Sequence, residues 1–314
     1  MSKYEVEPIS IGDKDRLMEK YADRFLYEER ADVYGCCIKL LTDLKYVKER
    51  WEESFFPMSA HIRSHGRLFV TEEKDEKLRV LYDQFSKTVF LVNVDYYGWV
   101  KSIALSVAGD ILEDSHGINS VHGACVDMEG RGICLIAPSG TGKTTHTYGL
   151  LRLKGVRVIS DDWFFVRLMA DEDLAFSSEK NFYVQADIAE TWGEYKKLVE
   201  KAEFDDRGRA VVNVRWIVGK GRILPMTTLR TAIILKRDPQ DDTIVKKLTP
   251  IEAVQYTETV DFCNPHLLVK NPRKNRLRRR FFQEFFSHLE TYLINTTLPP
   301  IETHRVIKEE VLEI

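Results

Sequence analysis

Cysteine is scarce in this 314-residue chain: Cys36, Cys37, Cys125, Cys134 and Cys263 are the whole set. Their spacings fit neither a zinc site nor a disulfide framework. The odd count and the apolar runs around Cys125 and Cys134 point to small buried hydrophobes in a reducing compartment. No apolar run approaches the roughly 20 residues that a membrane-spanning helix needs. The opening residues are polar and acidic rather than signal-like. There is no low-complexity linker and no internal repeat. Neither charge sign dominates, since the net charge is -3, so nucleic-acid binding would need a local patch. These absences lead us to expect a soluble cytoplasmic protein with no membrane partner. Hydrophobic residues make up 44% and charged residues 30%, which supports a packed core.

One stretch organises what is present: Ala137-Pro138-Ser139-Gly140-Thr141-Gly142-Lys143-Thr144-Thr145. The apolar run Ile133-Cys134-Leu135-Ile136 before it reads as a buried strand, and Thr145 to Leu151 after it as a helix. Strand, glycine-rich loop, Lys-Thr and helix together form a phosphate-binding loop. Successive backbone N–H groups must turn inward around a polyanion, so the residues there must be small. The helix aims its positive end at the same phosphates. Ser139, Gly140, Thr141, Gly142, Lys143, Thr144 and Thr145 are therefore the expected nucleotide contacts, with Thr144 a ligand for Mg²⁺. Ala137 stands where such loops usually begin with Gly.

The pattern divides the chain into an α+β region over residues 1–115 and a nucleotide-binding domain over residues 116–314. In the first part, helices are expected over Lys14 to Glu29, Leu44 to Glu53 and Trp99 to Leu112. Asp13 is the expected cap of the first of these. A strand is expected over Val33 to Leu41, and a hairpin turning at Ser86-Lys87. His61 and His65 read as structural or solvated, because no third metal ligand stands near them. In the second part, Val121 to Met128 and Ile133 to Ala137 form a hairpin feeding the loop. Val156 to Ile159 is the next strand. Further expectations are a helix over Ile188 to Lys201, a strand over Val211 to Val218, a capped helix opening at Thr249-Pro250 and a helix over Pro272 to Leu293.

Asp161-Asp162 closes the strand after the loop helix. Two carboxylates there can divide two tasks, one holding Mg²⁺ and the other taking a proton from an attacking hydroxyl. The order Val121-His122-Gly123-Ala124-Cys125, phosphate loop, Val158-Ile159-Ser160-Asp161-Asp162 resembles the core of HPr kinase/phosphorylase and of ATP-dependent phosphoenolpyruvate carboxykinase. Gly140-Thr141-Gly142-Lys143-Thr144-Thr145 matches the loop of those families. Glu179-Lys180-Asn181-Phe182-Tyr183 resembles the carboxykinase Glu-Gly-Gly-Cys-Tyr, and Asn213-Val214-Arg215 its Asn-Thr-Arg. The resemblance covers roughly Asn119 to Tyr256 and implies the mixed-sheet α/β nucleotide fold of that superfamily. It also implies roles. His122 lies near the metal and the transferred phosphate, Arg215 neutralises the phosphoryl group, and Glu179 joins Thr144 and Asp162 around the metal.

The departures bear on the acceptor. The chain is far shorter than a carboxykinase, and the basic and Arg-rich oxaloacetate-binding segments are missing before His122. The HPr kinase segment that contacts the protein substrate is also not visible. The expectation is thus an ATP- and Mg²⁺-dependent kinase that phosphorylates a hydroxyl, more readily on a small molecule than on a protein serine. The rival from another class is a nucleotide-dependent regulatory protein. Self-association is a further partner expectation, and nucleic acid ranks below it. The basic run Arg273 to Arg280 reads as solvated or intramolecular ahead of substrate binding.

Overall fold

The computed structural model describes residues 4–74, 76–205, 208–213, 215 and 219–313. Val214 of the Asn213-Val214-Arg215 motif, and residues 216–218 of the expected Val211 to Val218 strand, lie outside the described residues. The chain is mixed α/β and divides into two compact units. The first comprises Met1–Ile118, Ser178–Asn181 and Pro265–Lys274, and the second holds the remainder. The sequence suggested one cut near residue 115, whereas two short later segments return to the first unit.

In the first unit, seven strands form a mixed sheet in the order Val6–Pro8, Arg79–Asp83, Thr88–Val92, Gly66–Thr71, Cys36–Thr42, Tyr27–Val33, Phe56–Pro57. The opening helix runs from Ile11 to Tyr21 and stops well before Glu29. Its cap is Ser10, and Asp13 completes the capping box from three residues on. Tyr27–Val33 is a strand paired antiparallel to Cys36–Thr42. The turn between them is Tyr34-Gly35, with φ of 49° and 78°, so both residues are left-handed as a tight hairpin requires. Helix Tyr97–His116 ends at Gly117, whose φ of 61° makes the left-handed cap.

The second unit is built on an eight-stranded sheet. The strand entering the phosphate loop, Arg131–Ile136, lies between two partners. It is antiparallel to Ile118–Met128 and parallel to Met226–Lys236. Cys134, Leu135 and Ile136 are fully buried there. At about 1.5–3 kcal/mol per large apolar side chain, this burial fixes the strand that carries the loop. Gly123 sits on the neighbouring strand because a Cβ there would lie 2.7 Å from the Leu135 carbonyl oxygen. Further along, Glu290–Asn295 pairs parallel with Met226–Lys236. The expected helix over Pro272 to Leu293 therefore ends at Ser287. Thr291, Leu293 and Asn295 alternate with Glu290, Tyr292 and Ile294 across a pleat, and sheet pairing overrides the helical spacing of Leu289 and Leu293. The region expected to be one helix from Ile188 to Lys201 is three short turns, Ile188–Thr191, Gly193–Tyr195 and Lys196–Val199.

Candidate nucleotide site

The loop glycines adopt the conformations their spacing implies. Gly140 has φ 83° and Gly142 φ 95°, both strained for any residue with a Cβ. Gly142 caps helix Lys143–Leu151 and has no side chain to accept from the helix's first N–H groups. Those donors suit an anion, as does the exposure of Ser139 and Gly140. The Thr141 hydroxyl donates to the Pro138 carbonyl at 2.8 Å and closes the loop on itself. Ala137 is fully buried in the core, so its methyl replaces the usual Gly without facing the loop's mouth.

Lys143 and the acidic pair meet. The Lys143 ammonium donates to the Asp161 main-chain carbonyl at 3.2 Å and pairs with the Asp162 carboxylate. Asp162 Oδ1 also lies 3.4 Å from His122 Nε2. On the other side of that ring, His122 Nδ1 is 2.7 Å from the Cys263 carbonyl oxygen. A carbonyl can only accept, so Nδ1 carries a proton. Nε2 and the Asp162 carboxylate then face each other across a contact that is attractive only with one proton between them. The chain of contacts Lys143–Asp162–His122–Cys263 brings together four separate elements of one unit. The two neighbouring aspartates part company at the bend between strands Val156–Ser160 and Trp163–Leu168. Asp161 is only 2% exposed, whereas the Asp162 side chain is 32% exposed. The Asp162 main chain accepts from Gly123 N–H at 3.0 Å, which ties the acidic pair to the histidine strand.

Sequence reasoning missed Cys263 as the support of His122, since it acts through its main chain and lies far along the sequence. Asp261, Phe262 and Cys263 have φ of 51°, 53° and 56° in succession. Left-handed backbone costs roughly 1–2 kcal/mol per non-glycine residue. Strain of this kind is tolerated where surrounding structure enforces it, often at functional sites.

Behind the loop helix lies a second group the motifs did not reveal. The rings of His146 and His304 stack at 6.4 Å, and Trp192 stands edge-on to His304 at 5.2 Å. Trp192 Nε1 donates to the Thr145 carbonyl at 2.8 Å. Burial lowers both histidines to about 4, helped for His146 by His304 and for His304 by Arg152 and Lys308.

The other expected residues are placed as follows. Thr144 occupies the first turn of the loop helix and is half-buried. The Arg215 main-chain N–H donates to Asn213 Oδ1 at 3.0 Å, and among the described contacts none joins Arg215 to the Lys143–Asp162–His122 group. Glu179 belongs to the first unit, where its buried carboxylate pairs with the buried Lys101. Its neighbours Lys180 and Asn181 donate to the carbonyls of Ser54, Glu52 and Glu53 at the end of helix Lys45–Ser54. Among the described residues no group of three or more His, Cys, Asp or Glu could hold a metal. A Mg²⁺ that keeps its waters and binds phosphate oxygens needs fewer protein ligands, and Thr144 and Asp162 fit it. In the basic run, Lys274 is buried against Asp110 at 2.7 Å and Asp114 at 2.9 Å, and Arg279 pairs with Glu258 at 3.2 Å. Burial alone would lower Lys274, but the Asp110 and Glu113 carboxylates reverse this and hold its ammonium above the ordinary value.

No protein-family model matches the chain. An HPr kinase/phosphorylase from Lactobacillus acidophilus is 28% identical over 123 residues. Over that stretch the chain is similar to HPr kinase/phosphorylase. The match takes in 39% of this chain and 32% of that relative, so it spans about a third of the relative's length. Among solved structures, the HPr(Ser) kinase/phosphatase from Coxiella burnetii aligns over 62% of this chain and 97% of its own, with 9% identity and a TM-score of 0.34. Among the described residues, no helix is long and apolar enough to cross a membrane.

Proposed function

We propose that this protein is a Mg²⁺- and ATP-dependent phosphotransferase acting on a hydroxyl. The observation that carries the reading is the meeting of Lys143, Asp162 and His122 beside a helix N-terminus whose cap, Gly142, has no side chain. The bound Mg-nucleotide would supply the transferable phosphoryl group, and Thr144 would hold the metal, leaving Asp162 for the acceptor's proton. The N–H groups of Gly140 to Thr144 hold the phosphates, and Lys143 exchanges its Asp162 partner for phosphate oxygens. Lys143's departure leaves Asp162 and His122 as the accessible base of the site. As the acceptor oxygen bonds the transferred phosphorus and the bond from phosphorus to the nucleotide's leaving oxygen breaks, the hydroxyl proton passes to the Asp162 carboxylate, which His122 Nε2 faces at 3.4 Å. Asp161, one of the two carboxylates that the sequence offered as the base, serves here through its carbonyl as a positioning group for Lys143. Arg215 is assigned to the phosphoryl charge by resemblance only, and Glu179 to the metal on the same ground.

A small hydroxyl substrate is the preferred acceptor. A protein serine is the second reading, favoured by the relatives' description as HPr and HPr(Ser) kinases. Incubation of the protein with γ-labelled ATP, Mg²⁺, a metabolite pool and a seryl phosphocarrier protein tests both. The expected result is a labelled acceptor that disappears with Lys143→Ala, with turnover down by about a thousandfold. Nucleotide binding without transfer to any acceptor would instead indicate a regulatory nucleotide-binding protein.

A further inference from the structure

The first unit contains a cavity of about 690 Å³ that plays no part in the reading above. Its wall is a row of cations. Arg30 stands opposite Lys39 in the antiparallel pair Tyr27–Val33 and Cys36–Thr42. Lys39 stands opposite Arg67 in the parallel pair with Gly66–Thr71. Directly paired residues share a face of the sheet, so three cations line up across three adjacent strands, and all three border the cavity. Like charges placed opposite one another on a sheet repel. One carboxylate relieves part of this: Glu28 accepts from Arg30 at 2.8 Å and from Lys39 at 2.7 Å. Among the described residues, Arg67 has no carboxylate partner, nor does Arg63 on the cavity's loop side. Among the described residues, no carboxylate lines the cavity.

The next row on the same face runs Glu28, Leu41 and Phe69. Leu41 and Phe69 are paired neighbours, each two residues beyond a cation. They give the cavity a greasy floor beside its charged row. The loop over it is tied down, because Arg30 donates to the carbonyls of Ala60 and Ile62, and His65 Nδ1 accepts from Cys37 N–H at 2.9 Å. A tied loop, an apolar floor and unbalanced positive charge define an occupant. The volume lies within the roughly 300–1,000 Å³ of small-molecule sites.

We propose that this cavity binds a small organic anion whose carboxylate, phosphate or sulfonate meets Lys39 and Arg67 and whose apolar body rests on Leu41 and Phe69. The anion completes the charge balance that Glu28 leaves unfinished. Arg67 is thus a ligand-binding residue rather than a structural one.

The test uses the full chain and 8-anilino-1-naphthalenesulfonate, a fluorescent probe with an apolar body and one sulfonate. Saturable binding is expected, with displacement by phenyl phosphate or benzoate. The more effective of these two competitors identifies whether phosphate or carboxylate is the preferred head group. Arg67→Gln and Lys39→Gln are each expected to weaken the probe by about tenfold, the scale of one hydrogen bond to a charged group. The neutral analogue N-phenyl-1-naphthylamine is expected to bind at least about tenfold more weakly than the sulfonate. Arg67→Gln is also expected to melt no lower than the parent, since it relieves repulsion. Unchanged probe affinity in both variants overturns the proposal, and so does equal binding of the neutral analogue. Equal displacement by inorganic phosphate removes the apolar half of the argument and overturns it as well. A lower melting temperature for Arg67→Gln would show that the arginine is structural, with the same consequence.

Discussion

Asp162→Asn should move affinity and turnover in opposite directions. Without nucleotide, the Lys143 ammonium is held by the Asp162 carboxylate, with the lysine side chain 11% exposed and the aspartate 32% exposed. A unit charge pair about 4 Å apart interacts by about 4 kcal/mol at the effective dielectric of a protein surface. Desolvation and screening leave about 1–2 kcal/mol of this as net stabilisation. Phosphate must displace Asp162 to reach Lys143, so that net energy opposes nucleotide binding. The asparagine variant keeps the size and loses the charge. In EDTA, where no metal contributes, ADP should bind it about 5–30-fold more tightly than the parent. With Mg²⁺ and acceptor present, kcat should fall by about a hundred- to ten-thousandfold, the range for loss of a general base. Isothermal titration in EDTA and steady-state kinetics across a Mg²⁺ series measure the two effects. Weaker ADP binding in EDTA would refute the competition for Lys143, and normal turnover would refute the base assignment.

Gly140→Ala places a Cβ at φ 83° and should cost about 1–2 kcal/mol, read as a lower denaturation midpoint together with weakened nucleotide binding. Glu179→Gln leaves the buried Lys101 ammonium without its carboxylate and should cost about 3 kcal/mol, measured by denaturant unfolding. His146 and His304 titrate near 4 in the folded protein and near 6.5 when unfolded, so between those values the unfolded chain binds more protons. Their stabilising contribution is complete above about pH 6.5 and is lost as pH falls toward 4, by up to about 1.4 kcal/mol per pH unit for each ring. His304→Asn should flatten that slope in unfolding measurements made from pH 7 to pH 4, and an unchanged slope would contradict it.

The loop, its entering strand and the acidic pair were legible because each is coded by neighbouring residues. Glycines at two positions before Lys143 demand left-handed backbone, and the structure supplies it at Gly140 and Gly142. Thr249 with Glu252 three residues on likewise announced a capping box that forms. Long-range partners were not legible. The Cys263 carbonyl that fixes the His122 tautomer carries no side-chain signal. Tyr27–Val33 was hidden because Tyr21, Phe25 and Leu26 continue the helical spacing of Leu17, while the Tyr34-Gly35 turn that makes the strand possible lies beyond the window. The pairing of Arg30, Lys39 and Arg67 depends on strand order, which local spacing cannot give.

The placement of the phosphate-loop strand also bears on how the protein is made. One neighbour of Arg131–Ile136 is its hairpin partner, available as soon as both have left the ribosome. The other, Met226–Lys236, is synthesised roughly a hundred residues later, and beyond it the sheet still awaits Glu290–Asn295. Closing so long a loop carries an entropic cost that local contacts do not repay. Until the distant strand arrives, one side of the loop-bearing strand is an open edge. A nascent chain halted before residue 226 therefore carries the whole nucleotide motif without the sheet that shapes it, so competence to hold phosphate should emerge late and abruptly during synthesis.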